Sequence, residues 1–196
     1  MSFAERYITS WLHVSATVDV RAIDRAVKAL AVARERDAII WTVGNGGGSA
    51  LASHLAIGLT LNTRRSGGRP FRALSLGADA AALSAASNDF GAEHALQAIL
   101  ECNARPGDIL CAFSVSGESA NVINTIVAAK ERGITVIALV GDPESPTAQT
   151  ADYPILLGSV EPGVAEDVAS AIMHAIYCTF MYENAESLPD EFTHDG

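Results

Sequence analysis

"TVGNGGGSALASHLA", residues 42–56, joins a strand pattern to a helix pattern through a turn that is almost entirely glycine. The apolar and β-branched run "AIIWTV" (38–43) precedes the glycines, and helix-forming residues follow them at once. Flexible linkers do not usually separate two such regular patterns. The stretch therefore predicts a strand, a tight loop and a helix, with the loop at a functional site.

Four more candidate strands follow along the chain, with longer helical patterns between them. They are "FRALSL" (71–76), "DILCAFSV" (108–115), "TVIALVG" (135–141) and "YPILLG" (153–158). Buried strands that alternate with helices are typical of a parallel sheet covered by helices on both faces. The sequence therefore predicts an α/β fold with five strands.

One domain is expected over residues 1–196, because this length suffices for one buried core and is short for two. Apolar residues at helical spacing predict two amphipathic helices within residues 1–36, which pack on the core or on another subunit. The α/β core is expected at 37–184, with a last long helix from about 164 to 184. Residues 185–196 are polar and acidic, and we expect them to be loose.

Composition excludes several classes of function. The chain has 13 basic and 23 acidic residues, and this net charge of -10 disfavours binding to nucleic acid phosphates. No segment is long and apolar enough to span a bilayer, and the N-terminus lacks the pattern of a secretion signal, so a cytoplasmic protein without a membrane partner is expected. Cys102, Cys111 and Cys178 lack CxxC spacing, so we expect buried, unreactive thiols.

Two loops stand where an α/β sheet binds ligands, between the carboxyl end of a strand and the following helix. The glycine loop is "GNGGGS" (44–49), and the serine loop is "SVSGES" (114–119). Hydroxyl groups and the free N–H groups of a helix N-terminus suit an anion, although ordinary turns and caps also use serine and glycine. Neither loop has the lysine of a nucleotide-binding P-loop. The pair is better suited to a single phosphate monoester.

Five motifs together resemble the sugar isomerase (SIS) domain family, and within it the phosphoheptose isomerases, which act on sedoheptulose 7-phosphate. They are "VGNGGGSALASHLA" (43–56), "SNDFG" (87–91), "PGDILCAFSVSGESANV" (106–122), "GITVIALVG" (133–141) and "EDVASAIMH" (166–174). The resemblance implies a flavodoxin-like three-layer α/β/α sandwich with a five-stranded parallel sheet. It also implies a homotetramer whose active sites lie at subunit interfaces.

The resemblance also assigns roles to particular residues. The hydroxyls that hold the sugar phosphate would be Ser114, Ser116 and Ser119. The residues that line the sugar would be Asn45, Gly46, Gly47, Ser49, Asn88 and Asp89. In zinc-containing members two histidines, a glutamate and a glutamine bind the metal. His54 and His174 match the two histidines, and Glu166, at the glutamine position, would be the third ligand here.

The chain departs from the family at the groups that move protons. Gly58 stands where phosphoheptose isomerases carry a catalytic glutamate, and Glu166 stands where they carry a glutamine. Isomerisation needs a base near a carbon-bound proton, and His174 titrates in the useful range. Either Glu166 or Asp167 could be the accompanying carboxylate, and Glu166 is favoured because it occupies the family position.

Two functions follow from this interpretation. The first is a ketose–aldose isomerase that acts on a phosphorylated sugar, most simply sedoheptulose 7-phosphate. It would bind zinc if the three ligands assemble, and it would use no organic cofactor. The second is a non-catalytic protein that binds a sugar phosphate or a partner, like the family member that associates with the replication initiator, and Gly58 favours it. A purely structural oligomer would have little use for two loops rich in glycine and serine.

Overall fold

The computed structural model of the chain describes residues 1–158 and 161–185. Its centre is one parallel sheet of five strands in the order β2-β1-β3-β4-β5. The strands are β1 (Ile39–Gly44), β2 (Arg72–Ser75), β3 (Ile109–Ser114), β4 (Thr135–Val140) and β5 (Tyr153–Leu156). All five predicted strands are present, and the predicted α/β class is confirmed.

Helices precede, connect and follow the strands. They are α1 (Phe3–Ser15), α2 (Val20–Glu35), α3 (Gly46–Ile57), α4 (Thr63–Arg65), α5 (Ala80–Phe90), α6 (Ala95–Asn103), α7 (Ala120–Glu131), α8 (Pro146–Thr150) and α9 (Pro162–Met181). A π-helical segment, Gly58–Asn62, continues α3 into α4. The two predicted N-terminal helices are present, and α9 begins at a proline slightly before its predicted start. Most of the predicted loose tail, from residue 186 onwards, lies outside the described residues.

The three central strands, β1, β3 and β4, are buried on both faces, which explains why their sequences are largely apolar runs. In β3, Ile109, Cys111 and Phe113 pack with α2, α3 and α9, whereas Leu110 and Ala112 pack with α6 and α7. The alternation follows from the two-residue period of a strand. The result is a three-layer sandwich with one apolar core on each side of the sheet.

The register of the sheet places the two predicted loops side by side. Gly44, the last residue of β1, is paired with Phe113, and Ser114 ends β3 one residue later. The strand order reverses at β1 and β3, so α3 and α7 leave toward opposite faces of the sheet. Such a reversal opens a crevice beyond the carboxyl ends of the strands.

Two polar groups hold the elements of the fold together. At the amino ends of β1 and β3, away from the crevice, the buried Asp108 carboxylate accepts hydrogen bonds from Ile39 N (2.8 Å) and Trp41 Nε1 (3.0 Å). On the α9 side, the Arg34 guanidinium lies 5.0 Å from the ring centroids of both Phe71 and Phe180. It also pairs with Glu183, which ties the end of α9 to α2. Within the described residues, the structure contains no helix that could cross a membrane.

Candidate active site

The glycine loop needs glycine at several positions, each for a different reason. Gly46 has φ +50°, a backbone conformation that residues with a Cβ rarely adopt. A Cβ on Gly44 would lie 2.5 Å from the carbonyl carbon of Gly48, so the start of α3 rests directly on the end of β1. A Cβ on Gly47 would lie 2.5 Å from Oε1 of Glu166. The Glu166 side chain, on α9, therefore lies against the first turn of α3.

The serine loop presents hydroxyl groups that α7 does not use. Ser114 Oγ is buried and has no hydrogen-bond partner among the described residues. Ser119 is the N-cap of α7, but its side chain makes no capping hydrogen bond. Ser116 Oγ accepts a hydrogen bond from Glu118 N at 3.2 Å, and Gly117 turns the chain with φ +71°. The loop therefore offers free hydroxyls at the positive end of a helix dipole.

A reciprocal pair of hydrogen bonds joins the two loops. Asn45 Nδ2 donates to Asn121 Oδ1, and Asn121 Nδ2 donates to Asn45 Oδ1, both at 2.8 Å. Asn45 is the N-cap of α3, and Asn121 lies in the first turn of α7. The N-termini of two helices that diverge across the sheet are thus held together at the crevice.

A cavity of about 450 Å³ opens where the two loops meet. Five of the residues predicted to act in the site line it: Asn45, Ser114, Ser116, Ser119 and Glu166. Its apolar walls come from residues such as Leu51, Phe113, Leu139 and Leu157. The lining residues include no lysine or arginine among those that the structure describes, and they include two carboxylates, those of Asp142 and Glu166. Any anion bound here must be held by hydroxyl and amide donors.

Other predicted residues lie beside the cavity or away from it. Gly46 and Gly47 form the first turn of α3, next to lining residues Asn45 and Gly48. Ser49 points elsewhere, because its hydroxyl lies 3.3 Å from the Cβ position of Gly77 beyond β2. Asn88 and Asp89 are exposed in the last turn of α5, where Asn88 Nδ2 donates to Asp89 Oδ1 at 2.9 Å. A single chain does not bring this pair into the cavity.

The two carboxylates that the sequence left as alternatives take different positions. Glu166 lines the cavity. Asp167 is exposed and accepts a hydrogen bond from the Tyr7 hydroxyl at 2.9 Å, which links α9 to α1. The same hydrogen bond is the main reason that the pKa of Tyr7 is raised. Of the two, Glu166 is the one placed to meet a ligand.

His54 on α3 and His174 on α9 form what we call the histidine pair. Their ring centroids are 5.0 Å apart and the rings are perpendicular. His174 Nδ1 lies 2.7 Å from the Ser170 carbonyl oxygen. Because a carbonyl oxygen only accepts, Nδ1 carries the proton, and Nε2 of the neutral ring is left as a base. Partial burial lowers the pKa of His54, and repulsion from His174 in its protonated form lowers it further.

The predicted zinc ligands do not assemble in one chain. The histidine pair is formed, but Glu166 lies two turns earlier on α9, at the cavity. Within residues 1–158 and 161–185, no group of three or more His, Cys, Asp or Glu side chains is arranged to hold a metal ion. The donors present in a single chain therefore do not fit a catalytic zinc site, which requires three protein ligands.

The structure explains why residue 58 is glycine. A Cβ on Gly58 would lie 2.7 Å from Cγ and 2.8 Å from Cε1 of the Tyr177 ring. The space that a side chain at position 58 would need is therefore filled by Tyr177. A carboxylate cannot stand there while the tyrosine keeps its place.

Sequence reasoning missed Asn121 and Tyr177. The sequence "SAN" after the serine loop did contain a signal for Asn121, because asparagine in the first turn of a helix often makes a polar contact. Tyr177 gave no signal, since an aromatic residue among apolar neighbours on a long helix is usually part of the core.

The fold and the site define a three-layer α/β protein with a ligand cavity at the switch point of its sheet. A family model described as "SIS domain" matches residues 3–141, and the chain belongs to this family. It is 35% identical to a phosphoheptose isomerase of Rhodospirillum rubrum over 136 residues, which cover 68% of this chain and 70% of that protein. It is 38% identical to a phosphoheptose isomerase of Salmonella paratyphi B over 138 residues, 70% of each chain.

The fold is also similar to that of a solved relative. The structure of phosphoheptose isomerase from Neisseria gonorrhoeae matches with a TM-score of 0.81 at 28% sequence identity. The match covers 91% of this chain and 98% of that one. The similarity thus extends past residues 3–141, the segment matched by the family model.

Proposed function

We propose that this chain is a ketose–aldose isomerase that acts on a phosphorylated sugar, and that its substrate is a seven-carbon ketose phosphate such as sedoheptulose 7-phosphate. The observation that carries the proposal is the cavity between the glycine and serine loops, with the unpartnered Ser114 hydroxyl buried in its wall. The names of the relatives at 35% and 38% identity support the reaction and the heptose class.

The phosphate is proposed to bind in the serine loop. Ser114, Ser116 and Ser119 each bring a hydroxyl to the cavity, and the first N–H groups of α7 have no partner within the helix. Helix N-termini favour anions because the dipole is positive there. With no cation in the described lining, this arrangement suits a single phosphate group rather than a chain of phosphates.

The length of the site supports a long sugar. His54 lies six residues after the cavity residue Gly48 on α3, which is about 9 Å along the helix axis. His174 lies eight residues after Glu166, which is about 12 Å along α9. An extended seven-carbon chain with bonds of about 1.5 Å spans roughly 8 Å. A seven-carbon chain spans more of the distance between these cavity residues and the histidine pair than a triose does, which favours a heptose.

The isomerisation moves two protons and needs no oxidant. One proton leaves C1 of the ketose and returns to C2, and a second passes from the C1 hydroxyl to the C2 oxygen, so atoms and charge balance. Nε2 of His174 is the free base for the carbon-bound proton. Glu166, one of the two carboxylates that line the cavity, is the group for the proton that moves between the oxygens.

Assembly completes the proposal. Exposed apolar residues on α1, α3 and the π-helical segment favour a subunit interface: Phe3, Leu12, Ile57 and Leu61. We infer a homotetramer in the cytoplasm, in which a neighbouring subunit brings Asn88 and Asp89 to the sugar. Zinc remains a prediction, because the histidine pair has no third ligand in place among the described residues of one chain.

The test is an NMR assay in D₂O with sedoheptulose 7-phosphate and chelator-treated protein. We expect aldose signals to appear and deuterium to enter C2 of the aldose. His174→Gln should reduce the rate about 100-fold, the scale of general base catalysis, while leaving binding intact. The proposal is wrong if the wild-type protein gives neither aldose nor deuterium uptake, with or without added zinc.

A non-catalytic sugar-phosphate sensor is the second candidate, and one observation favours it. Tyr177 fills the space at Gly58, so the site lacks a carboxylate there. The same assay separates the two functions, because a sensor would bind the sugar phosphate tightly by calorimetry and exchange no proton with solvent.

A further inference from the structure

Tyr177 is a buried aromatic residue whose ring is fixed at both ends. It is 6% exposed. One edge of the ring rests on the bare Cα of Gly58, where a Cβ would lie 2.7 Å from Cγ. At the other end a hydrogen bond joins its hydroxyl to Asn62, the last residue of the π-helical segment. Burial raises the pKa of the phenol, so the ring stays neutral.

The histidine pair lies against this fixed ring. The Tyr177 ring centroid is 5.2 Å from that of His174 and 6.2 Å from that of His54, within the range of favourable aromatic contacts. His174 is otherwise held by its hydrogen bond to Ser170, and the His54 ring makes no hydrogen bond within the described residues. The tyrosine is thus the one ring in the described chain that contacts both histidines.

The backbone at Gly58 is unusual in a way that fits this role. α3 gives way to a π-helical segment at Gly58, and such segments are frequent at functional sites. The Gly58 carbonyl accepts hydrogen bonds from both the backbone N–H of Thr63 and its Oγ1, the latter at 3.3 Å. Glycine at this point lets the ring approach the helix closely enough to reach both histidines.

We propose that Tyr177 is a positioning residue for the proposed isomerase: packed on Gly58 and bonded to Asn62, it sets the orientation of the His54 and His174 rings. The inference rests on the proposed function, since the rings need a fixed orientation only if His174 moves a proton. Misplacing a catalytic group by about 1 Å costs up to about 100-fold in rate. Tyr177 acts through the histidines and does not itself touch the substrate.

The test compares five variants for kcat and KM with sedoheptulose 7-phosphate. Tyr177→Leu removes the ring and should lower kcat about 10- to 100-fold with little change in KM. Tyr177→Phe keeps the ring and should lose less than about threefold. Gly58→Ala pushes the ring away and should lower kcat about as much as Tyr177→Leu does. The double variant Gly58→Ala/Tyr177→Leu should have a kcat little lower than that of Tyr177→Leu, because no ring remains to clash with the alanine.

Phe180→Leu is the matched control. Phe180 is also on α9 and 3% exposed, but it packs on Phe71 and Arg34 rather than on the histidines. It should lower the melting temperature about as much as Tyr177→Leu and leave kcat unchanged. Equal losses of kcat in the two leucine variants, or additive effects of Gly58→Ala and Tyr177→Leu, would overturn the inference.

NMR of the histidine rings separates failure of this inference from failure of the proposed function. Tyr177→Leu should shift the ring signals of His54 and His174, because it removes the ring current of the tyrosine, and Phe180→Leu should not. An inactive wild-type protein with these shifts would reject the isomerase, although Tyr177 would still be shown to contact both histidine rings. If the wild-type protein is active and Tyr177→Leu changes neither the histidine ring signals nor kcat, the positioning role alone is rejected.

Discussion

Ser114 Oγ and Thr147 Oγ1 are both buried without a hydrogen-bond partner among the described residues, but only Ser114 lines the cavity. A buried hydroxyl without a partner costs stability, so its removal should be neutral or slightly stabilising, by up to about 1 kcal/mol. Ser114→Ala should also raise the dissociation constant of the sugar phosphate about tenfold, because it loses a hydrogen bond to a charged group.

Thr147→Val is the control for this prediction. It removes an equally buried hydroxyl from a position outside the cavity. Calorimetric titration with sedoheptulose 7-phosphate should show unchanged affinity for this variant. Equal affinities for the two variants would mean that Ser114 does not hold the ligand.

The shifted pKa of His54 gives a prediction on pH. Burial and the neighbouring charge of His174 lower it from the ordinary 6.5, so the folded protein binds this proton less tightly than the unfolded chain. The neutral His54 ring therefore contributes its full stabilisation above pH 6.5, the ordinary pKa. This stabilisation is lost as the pH falls through the lower pKa that His54 has in the folded protein. In chelator-treated protein, NMR titration should give a midpoint below 6.5, which His174→Gln should raise. A midpoint unaffected by His174→Gln would show that the two rings do not interact.

At the scale of elements, the contact between β1 and α3 depends on Gly44. A Cβ there would meet the backbone of Gly48, and backbone atoms cannot rotate out of the way. Gly44→Ala should therefore cost about 1–3 kcal/mol of unfolding free energy, the range for overpacking. Gly77→Ala should cost much less in the same urea titration, because its Cβ would meet only the Ser49 hydroxyl at 3.3 Å. Similar losses in both variants would contradict the close contact at Gly44.

The elements themselves could be read from the sequence. The central strands β1, β3 and β4 are runs of mainly β-branched and apolar residues bounded by glycine, proline or polar residues, so their local pattern identifies them. The π-helical segment at Gly58 could not be predicted, since no local pattern distinguishes it from a continuing α-helix.

The site was predictable only in part, for a related reason. Residues on the two loops were found because each loop follows its own strand. The Asn45–Asn121 pair and the Tyr177–Gly58 contact join residues that are far apart in sequence, and only the packing of α3, α7 and α9 brings them together. The same packing leaves Asn88 and Asp89 outside the cavity of a single chain.

At the scale of the whole molecule, charge makes the location of the site testable. The chain carries a net charge of -10, and the described residues that line the proposed phosphate cavity include no cation. A second cavity of about 460 Å³ lies at the amino ends of the strands, beside α2, and is lined by Arg25, Lys28 and Arg36 among others. Attraction of a phosphate by charge alone would favour that second cavity. We instead expect the phosphate to bind to neutral donors, which the ends of β1 and β3 bring together in the first cavity.

A crystal structure with bound sedoheptulose 7-phosphate tests this claim most directly. We predict that the phosphate oxygens lie within hydrogen-bond distance of Ser114, Ser116 and Ser119, with C1 and C2 directed toward His54 and His174. A phosphate bound at Arg25, Lys28 and Arg36, with the cavity between the glycine and serine loops left to solvent, would contradict the account.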